Sequence, residues 1–100
     1  MSLGTNRYRD TYHPRIKAEI KKFDLRLREE IRENHIPAIL ENPQVGKKLQ
    51  GKLSNVYSYH FRYKGQSYRI AYTVDEINKI VGVLKIGKRE NFYDILKRRI

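Results

Sequence analysis

A chain of 100 residues is long enough to bury one modest hydrophobic core and too short for two, so residues 1–100 are read as a single domain. With 39% hydrophobic and 33% charged residues it lacks the composition of a disordered chain, and without cysteine it has no disulfide framework, thiolate metal site or thiol nucleophile. Lys and Arg number 22 against 11 Asp and Glu, a net charge of +11, and such a field on a small domain favours a polyanion or an acidic protein as partner and makes binding salt-dependent.

Residues 8–12, "YRDTY", are β-prone and bounded by "HP", which reads as a short initial strand. Pro14 suits a first helical turn, and Ile16, Ile20, Phe23, Leu27 and Ile31 recur at steps of three or four. The apolar stripe predicts an amphipathic helical region over 14–40. Asp24 is placed to cap a second helix within it, which makes a helical hairpin with a tight joint at Phe23 and Asp24. Pro37 either kinks the second helix or marks a break, and "ENPQVG" ends the helical part.

From Lys52 the apolar period changes from 3.6 to 2. Residues 56–64 predict a strand with Tyr57, Tyr59, Phe61 and Tyr63 on one face and Ser58, His60 and Arg62 on the other. Gly65 supplies the turn to a second strand, 67–74, whose Tyr68, Ile70, Tyr72 and Val74 share one face and Arg69, Ala71 and Thr73 the other. After the polar "DEINK", residues 80–86 form a near-continuous apolar strand of the centrally buried kind. A last helix over 91–99 presents Phe92, Ile95 and Leu96 to the body and Lys97, Arg98 and Arg99 to solvent. The predicted fold is α+β, with the initial strand and helical hairpin on one face of a small, mainly antiparallel sheet in the order β-α-α-β-β-β-α.

The tyrosines of the first hairpin strand are expected to pack against the helices, leaving the opposite sheet face open. That face carries Ser58, His60, Arg62 and Arg69, joined by Lys85, and by Arg89 if the third strand runs two residues past Gly87. It is cationic, has one imidazole and no paired carboxylates. His13, His35 and His60 lie far apart in sequence, so no metal or cofactor is expected. A phosphodiester suits such a face: arginine holds phosphate oxygens in pairs and offsets the extra charge of a pentacovalent transition state, and His or Tyr moves protons. RNA supplies its own nucleophile, the 2′-hydroxyl. Each residue also has a plainer reading: His60 as a half-exposed structural histidine, Arg69 as a surface partner of Asp75 or Glu76, and Tyr93 as a core neighbour of Phe92.

The segments "YHPRIKAEIKKFDLRLREEI", "LENPQVGKKLQGKL", "YSYHFRYKGQSYRIAYTVDE" and "VLKIGKRENFYDILKR" occur in an order that resembles the RelE/ParE superfamily of bacterial and archaeal toxins, from about Tyr12 onward. The resemblance implies a toxin neutralised by a cognate acidic antitoxin. RelE-like members cut messenger RNA at the ribosomal A site without a metal, using the RNA 2′-hydroxyl, whereas ParE-like members inhibit DNA gyrase. By position, Arg69 matches the arginine of the family's "YR" strand, Arg89 the one after the last strand, and Tyr93 the tyrosine that helps position or activate the 2′-hydroxyl. Where RelE-like enzymes carry two lysines on the strand before that arginine, this chain has Ser58 and His60.

The reading is therefore the toxin of a type II toxin–antitoxin pair acting as a ribosome-dependent mRNA endoribonuclease. Arg69, Arg89, Tyr93 and His60 are its catalytic candidates, with the assignment of acid and base between His60 and Tyr93 open. Lys85, Lys88, Arg62, Lys97 and Arg98 are the candidates for binding RNA backbone. A gyrase inhibitor and a non-catalytic basic binding module are the two other readings. No stretch approaches the roughly 20 apolar residues of a membrane span, and "MSLGTNRYRD" lacks the apolar centre of a signal peptide, so a cytoplasmic protein with no membrane partner is expected.

Overall fold

Alternation of aromatic and polar residues builds the sheet, and a computed structural model shows how its two faces are used; it describes residues 7–100. β3 (Tyr57–Tyr63) and β4 (Gln66–Asp75) form an antiparallel hairpin closed by the pair Tyr63 and Gln66. The linking Lys64 and Gly65 have φ of 49° and 80°, the double positive φ that matches strand twist and that glycine adopts without strain. Asp75 accepts the backbone N–H groups of Ile77 and Asn78 and so turns the chain into β5 (Ile80–Lys88), antiparallel to β4. β1 (Arg9–Tyr12) pairs parallel with β5, and the two-residue β2 (Lys47–Lys48), absent from the sequence reading, pairs antiparallel with β3. The order across the five-stranded sheet is β1-β5-β4-β3-β2.

The helical region follows the expected stripe. α1 (Ile16–Ile20) gives way at Phe23 to α2 (Leu25–Glu30), whose N-cap is Asp24. The Asp24 carboxylate accepts the Leu27 N–H at 2.8 Å and the Tyr63 hydroxyl at 3.0 Å, so one side chain both starts the helix and ties it to β3. Pro37 does not break the helical run. The helix widens into one π turn, Ile31–His35, in which the Ile36 N–H reaches the Ile31 carbonyl, and it continues as α3 (Ile36–Glu41). The wide turn ends at Ile36, directly before the residue that has no N–H to give. Ile16, Leu27, Ile31, Ile36 and Ile39 are all buried against the aromatic face of the sheet, where Phe61 stacks on Tyr68 at 5.5 Å and Tyr57 on Tyr72 at 5.6 Å.

Tyr72, fully buried, gives its hydroxyl proton to the Pro43 carbonyl at 2.7 Å and accepts the Gly46 N–H at 3.0 Å; burial pushes the phenol up to about 12. A Cβ at Gly46 would fall inside contact distance of that hydroxyl and 3.0 Å from the ring carbon bearing it. Gly46→Ala is therefore expected to destabilise the fold by about 1–3 kcal/mol, measured by urea unfolding, and to cost less in a Tyr72→Phe background. Equal costs in the two backgrounds would refute the clash.

The opposite face is less open than expected. α4 (Phe92–Lys97) lies over it, with Phe92 and Leu96 fully buried against Leu53, Val56 and Ala71. A bulge in the β4–β5 pairing, where Ala71 opposes Lys85 but Tyr72 opposes Val83, turns both Leu84 and Lys85 toward this helix. Toward β3, His60 and Arg62 are exposed on this face and Arg69 is half-buried, whereas Ser58, expected on the open face, is buried.

Two expectations fail here for one reason. Lys85, read as an exposed RNA-binding lysine, is buried, with its ammonium 3.8 Å from the Glu19 carboxylate and 5.5 Å from the centre of the Phe92 ring. Arg99, read as solvent-facing, pairs with Glu19 through both terminal nitrogens and donates to the Leu84 carbonyl at 2.9 Å. Glu19 of α1 thus collects both cations and fastens the C-terminal end of α4 to the first helix.

Candidate active site

β3 and β4 hold His60 and Arg69 directly opposite each other, and β4 and β5 pair Arg69 with Gly87. The Arg69 Nε–H donates to His60 Nε2 at 3.2 Å, and Ser58 Oγ lies 3.0 Å from the same nitrogen. Both contacts fall on Nε2, which places the proton of the neutral ring on Nδ1. The Arg69 guanidinium also sits over the Tyr93 ring, 5.6 Å from its centre, because Phe92 docks α4 and carries Tyr93 with it. Arg69 Nη1 is out of solvent and has no hydrogen-bond partner among the described residues. A charged donor left unmatched in a preformed setting is costly to the free protein and suited to an anion.

The structure therefore brings His60, Arg69 and Tyr93 together; strand parity had put the first two on one face, and Tyr93 had entered by resemblance. Arg89 lies beyond β5, which runs one residue past Gly87 rather than two, and is exposed in the bend before α4. Arg62 is exposed on the same face and is held to the hairpin end by the Gly65 carbonyl at 2.7 Å. Lys88 falls on the other side, its ammonium 6.0 Å from the centre of Tyr68 on the helix-covered face. Lys97 and Arg98 are exposed at the end of α4. Sequence reasoning missed Lys47, which pairs with Ser58 through β2 and lies close enough to act on His60. Its only signal was the "GKK" run before the first long strand, and no periodicity marks a two-residue strand.

Burial, then the charges of Arg69 and Lys47, hold the His60 imidazole below its ordinary value of 6.5, so the ring is neutral at neutral pH. Because the unfolded chain then binds the proton more readily, this residue costs no stability above about pH 6.5 and takes stability away as pH falls below it. Thermal unfolding of the protein should thus lose ground to that of His60→Gln on acidification below pH 6.5; parallel curves would show that the ring is not perturbed.

The site is an open cationic surface. A cleft of about 450 Å³ lies on the other side of the sheet among Ile16, Ile20, Ile31 and Ile36, away from these groups. Among the described residues no three His, Cys, Asp or Glu side chains gather into a metal-ligand set, and no helix is long and apolar enough to cross a membrane.

A small α+β fold with a basic sheet face beside a C-terminal helix narrows the class, and comparison defines it. Residues 11–97 match the family described as ParE-like toxins of type II bacterial toxin–antitoxin systems, and the chain belongs to that family. Among solved structures, it is similar to a variant of the Escherichia coli toxin RelE in the free state, with 24% identity over 94% of this chain and 98% of that one and a TM-score of 0.73. It also resembles a chain of a RelBE toxin–antitoxin complex from Mycobacterium tuberculosis, with 23% identity, coverage of 83% and 99%, and a TM-score of 0.69. A chain of the intact Escherichia coli RelBE complex gives 25% identity, coverage of 83% and 98%, and a TM-score of 0.66. No curated protein matches the sequence. These likenesses bear out the RelE/ParE reading and the predicted α+β architecture.

Proposed function

We propose that this toxin is an endoribonuclease of the RelE type, which cuts messenger RNA on the ribosome by attack of the RNA 2′-hydroxyl on the adjacent phosphate. The observation that carries the reading is the arginine with an unmatched buried donor, Arg69, set between an imidazole and a phenol on a cationic face. In this mechanism the substrate phosphate draws the Arg69 N–H off His60 Nε2, which then takes the 2′-hydroxyl proton, and the new P–O bond forms as the bond to the 5′-oxygen breaks. Arg69 and Arg89 hold the phosphate oxygens as charge builds on them, and Tyr93 supplies the proton to the departing 5′-oxygen. The products are a 2′,3′-cyclic phosphate and a 5′-hydroxyl. Lys47 takes the place of a missing strand lysine as a source of positive charge beside Ser58, and Arg62 and Lys88 contribute to backbone binding from the two sides of the hairpin.

The solved relatives in complexes are toxins bound to antitoxins. A cognate antitoxin rich in carboxylates fits a chain of net charge +11. Primer extension on messenger RNA from cells expressing the chain tests the activity: discrete in-frame cuts are expected, and Arg89→Ala should reduce them by orders of magnitude while the protein stays folded. Inhibition of DNA supercoiling with no RNA cuts would replace this reading with the gyrase one that the ParE-like family description keeps in view.

A further inference from the structure

We infer that a second cationic site, at the corner where β1 meets α1 and the end of α4, binds a phosphate of an RNA backbone. The corner is a cavity of about 270 Å³ lined by His13, Arg15, Ile95, Arg98 and Arg99, with no carboxylate in its wall. Part of it is rigid. The His13 backbone N–H donates to the Val83 carbonyl at 2.8 Å, and its ring Nδ1 accepts the Arg15 N–H at 3.1 Å, which leaves the ring proton on Nε2 as a donor. Arg99 is pinned by Glu19 and the Leu84 carbonyl. Glu19 sits behind it, with its charge shared among Arg99, Lys85 and the nearby His13.

The rest is adjustable. Arg15 and Arg98 are exposed, and neither is in an ion pair among the described residues. Two free guanidinium groups facing a fixed imidazole N–H form a donor set for tetrahedral oxyanions, since each guanidinium can hold two oxygens. The wall has no aromatic ring beyond the imidazole to stack a base and no amide or carboxylate to accept from a base edge. The chemistry therefore fits the sequence-independent phosphodiester better than a nucleoside. Arg98 follows Tyr93 by five residues, roughly 7–8 Å along the axis of α4, so the corner is separate from the His60–Arg69–Tyr93 group. Binding here does not depend on the chain cleaving RNA.

The test is an NMR titration of the full chain, first with inorganic phosphate and then with a short 2′-O-methyl oligoribonucleotide that offers no 2′-hydroxyl nucleophile. Both should shift the His13 ring and the amides of Arg15, Ile95 and Arg98. Arg15→Ala/Arg98→Ala should abolish these shifts with the remainder of the spectrum retained, and should lower the slope of log affinity against log salt for the oligonucleotide by about one. Absence of localised shifts at the corner in the unmodified protein, or a folded double variant with unchanged oligonucleotide affinity and slope, would overturn the inference. So would a corner that responds to inorganic phosphate and not to the oligonucleotide.

Discussion

Replacing Arg69 with alanine is expected to reduce ribosome-dependent mRNA cleavage by about 10²–10³-fold while leaving the fold intact, the usual loss when one preorganised donor to a developing oxyanion is removed. The expectation rests on what the side chain touches. Its Nε–H goes to His60, its guanidinium lies over Tyr93, and Nη1 has no hydrogen-bond partner among the described residues, so its hydrogen bond and its ring contact both lie within the site. Alanine there leaves Ile70 and Tyr68 in the core and the Gly87 pairing in the sheet, which are backbone and apolar matters. Arg69→Lys should recover little, since a single ammonium cannot reach imidazole, ring and phosphate together. A second effect follows from the same contact: without the Arg69 charge one cause of the low His60 value disappears, and the acid limb of any residual activity should move toward higher pH. Single-turnover cleavage on programmed ribosomes, with circular dichroism as the control for folding, checks both. A folded Arg69→Ala protein that cuts at the original rate would remove Arg69 from the mechanism.

The parts of this arrangement that obey a period were legible in the sequence. Tyr57, Tyr59, Phe61 and Tyr63 alternate with Ser58, His60 and Arg62, and the pleat alone then puts His60 on the face of Arg69 once Gly65 closes the hairpin. Asp24 was legible as a cap because a short acceptor before an apolar turn has few other uses. Features without a period were not. β2 is two residues long, β1 finds β5 by a parallel pairing that no local signal specifies, and the bulge at Ala71 and Tyr72 leaves no trace in composition. Lys85 and Arg99 were misplaced for a related reason: a cation's default is solvent, and only the tertiary approach of Glu19 from α1 overrides it. Tyr93 entered the site by resemblance, since its helix position alone says nothing about the Arg69 guanidinium that lies over its ring.

That override makes Glu19 the position where substitution should cost the most stability. The Lys85 and Arg99 side chains are only 9% and 8% exposed and share its carboxylate, which is itself 27% exposed. Glu19→Ala leaves two cations in a poorly solvated setting with one backbone carbonyl between them, and the expected loss is about 3–5 kcal/mol. Against a typical total of about 5–15 kcal/mol this is a large fraction of the fold's stability. The two partners are not equally matched. Burial alone would raise the Glu19 carboxyl, but the Arg99 hydrogen bonds and the charges of Lys85, Arg99 and His13 outweigh it and hold it low; at Lys85 burial prevails over the attraction of Glu19, and the ammonium is held low as well. Lys85 is thus the strained member, and Glu19→Ala/Lys85→Met should recover part of the loss by removing the stranded charge. The sign of the pH dependence is set by the carboxylate: its contribution is present above its ordinary value of 4.5 and disappears as pH falls through the lower folded value, so the gap between wild type and variant should close in acid. Because Arg99 ties down the end of the helix that carries Tyr93, cleavage by Glu19→Ala should fall at temperatures where the protein is still folded. Urea midpoints at neutral and acidic pH, with cleavage assayed below the transition, measure the chain of effects, and a neutral-pH loss under 1 kcal/mol would show that α4 is held by Phe92 and Leu96 alone.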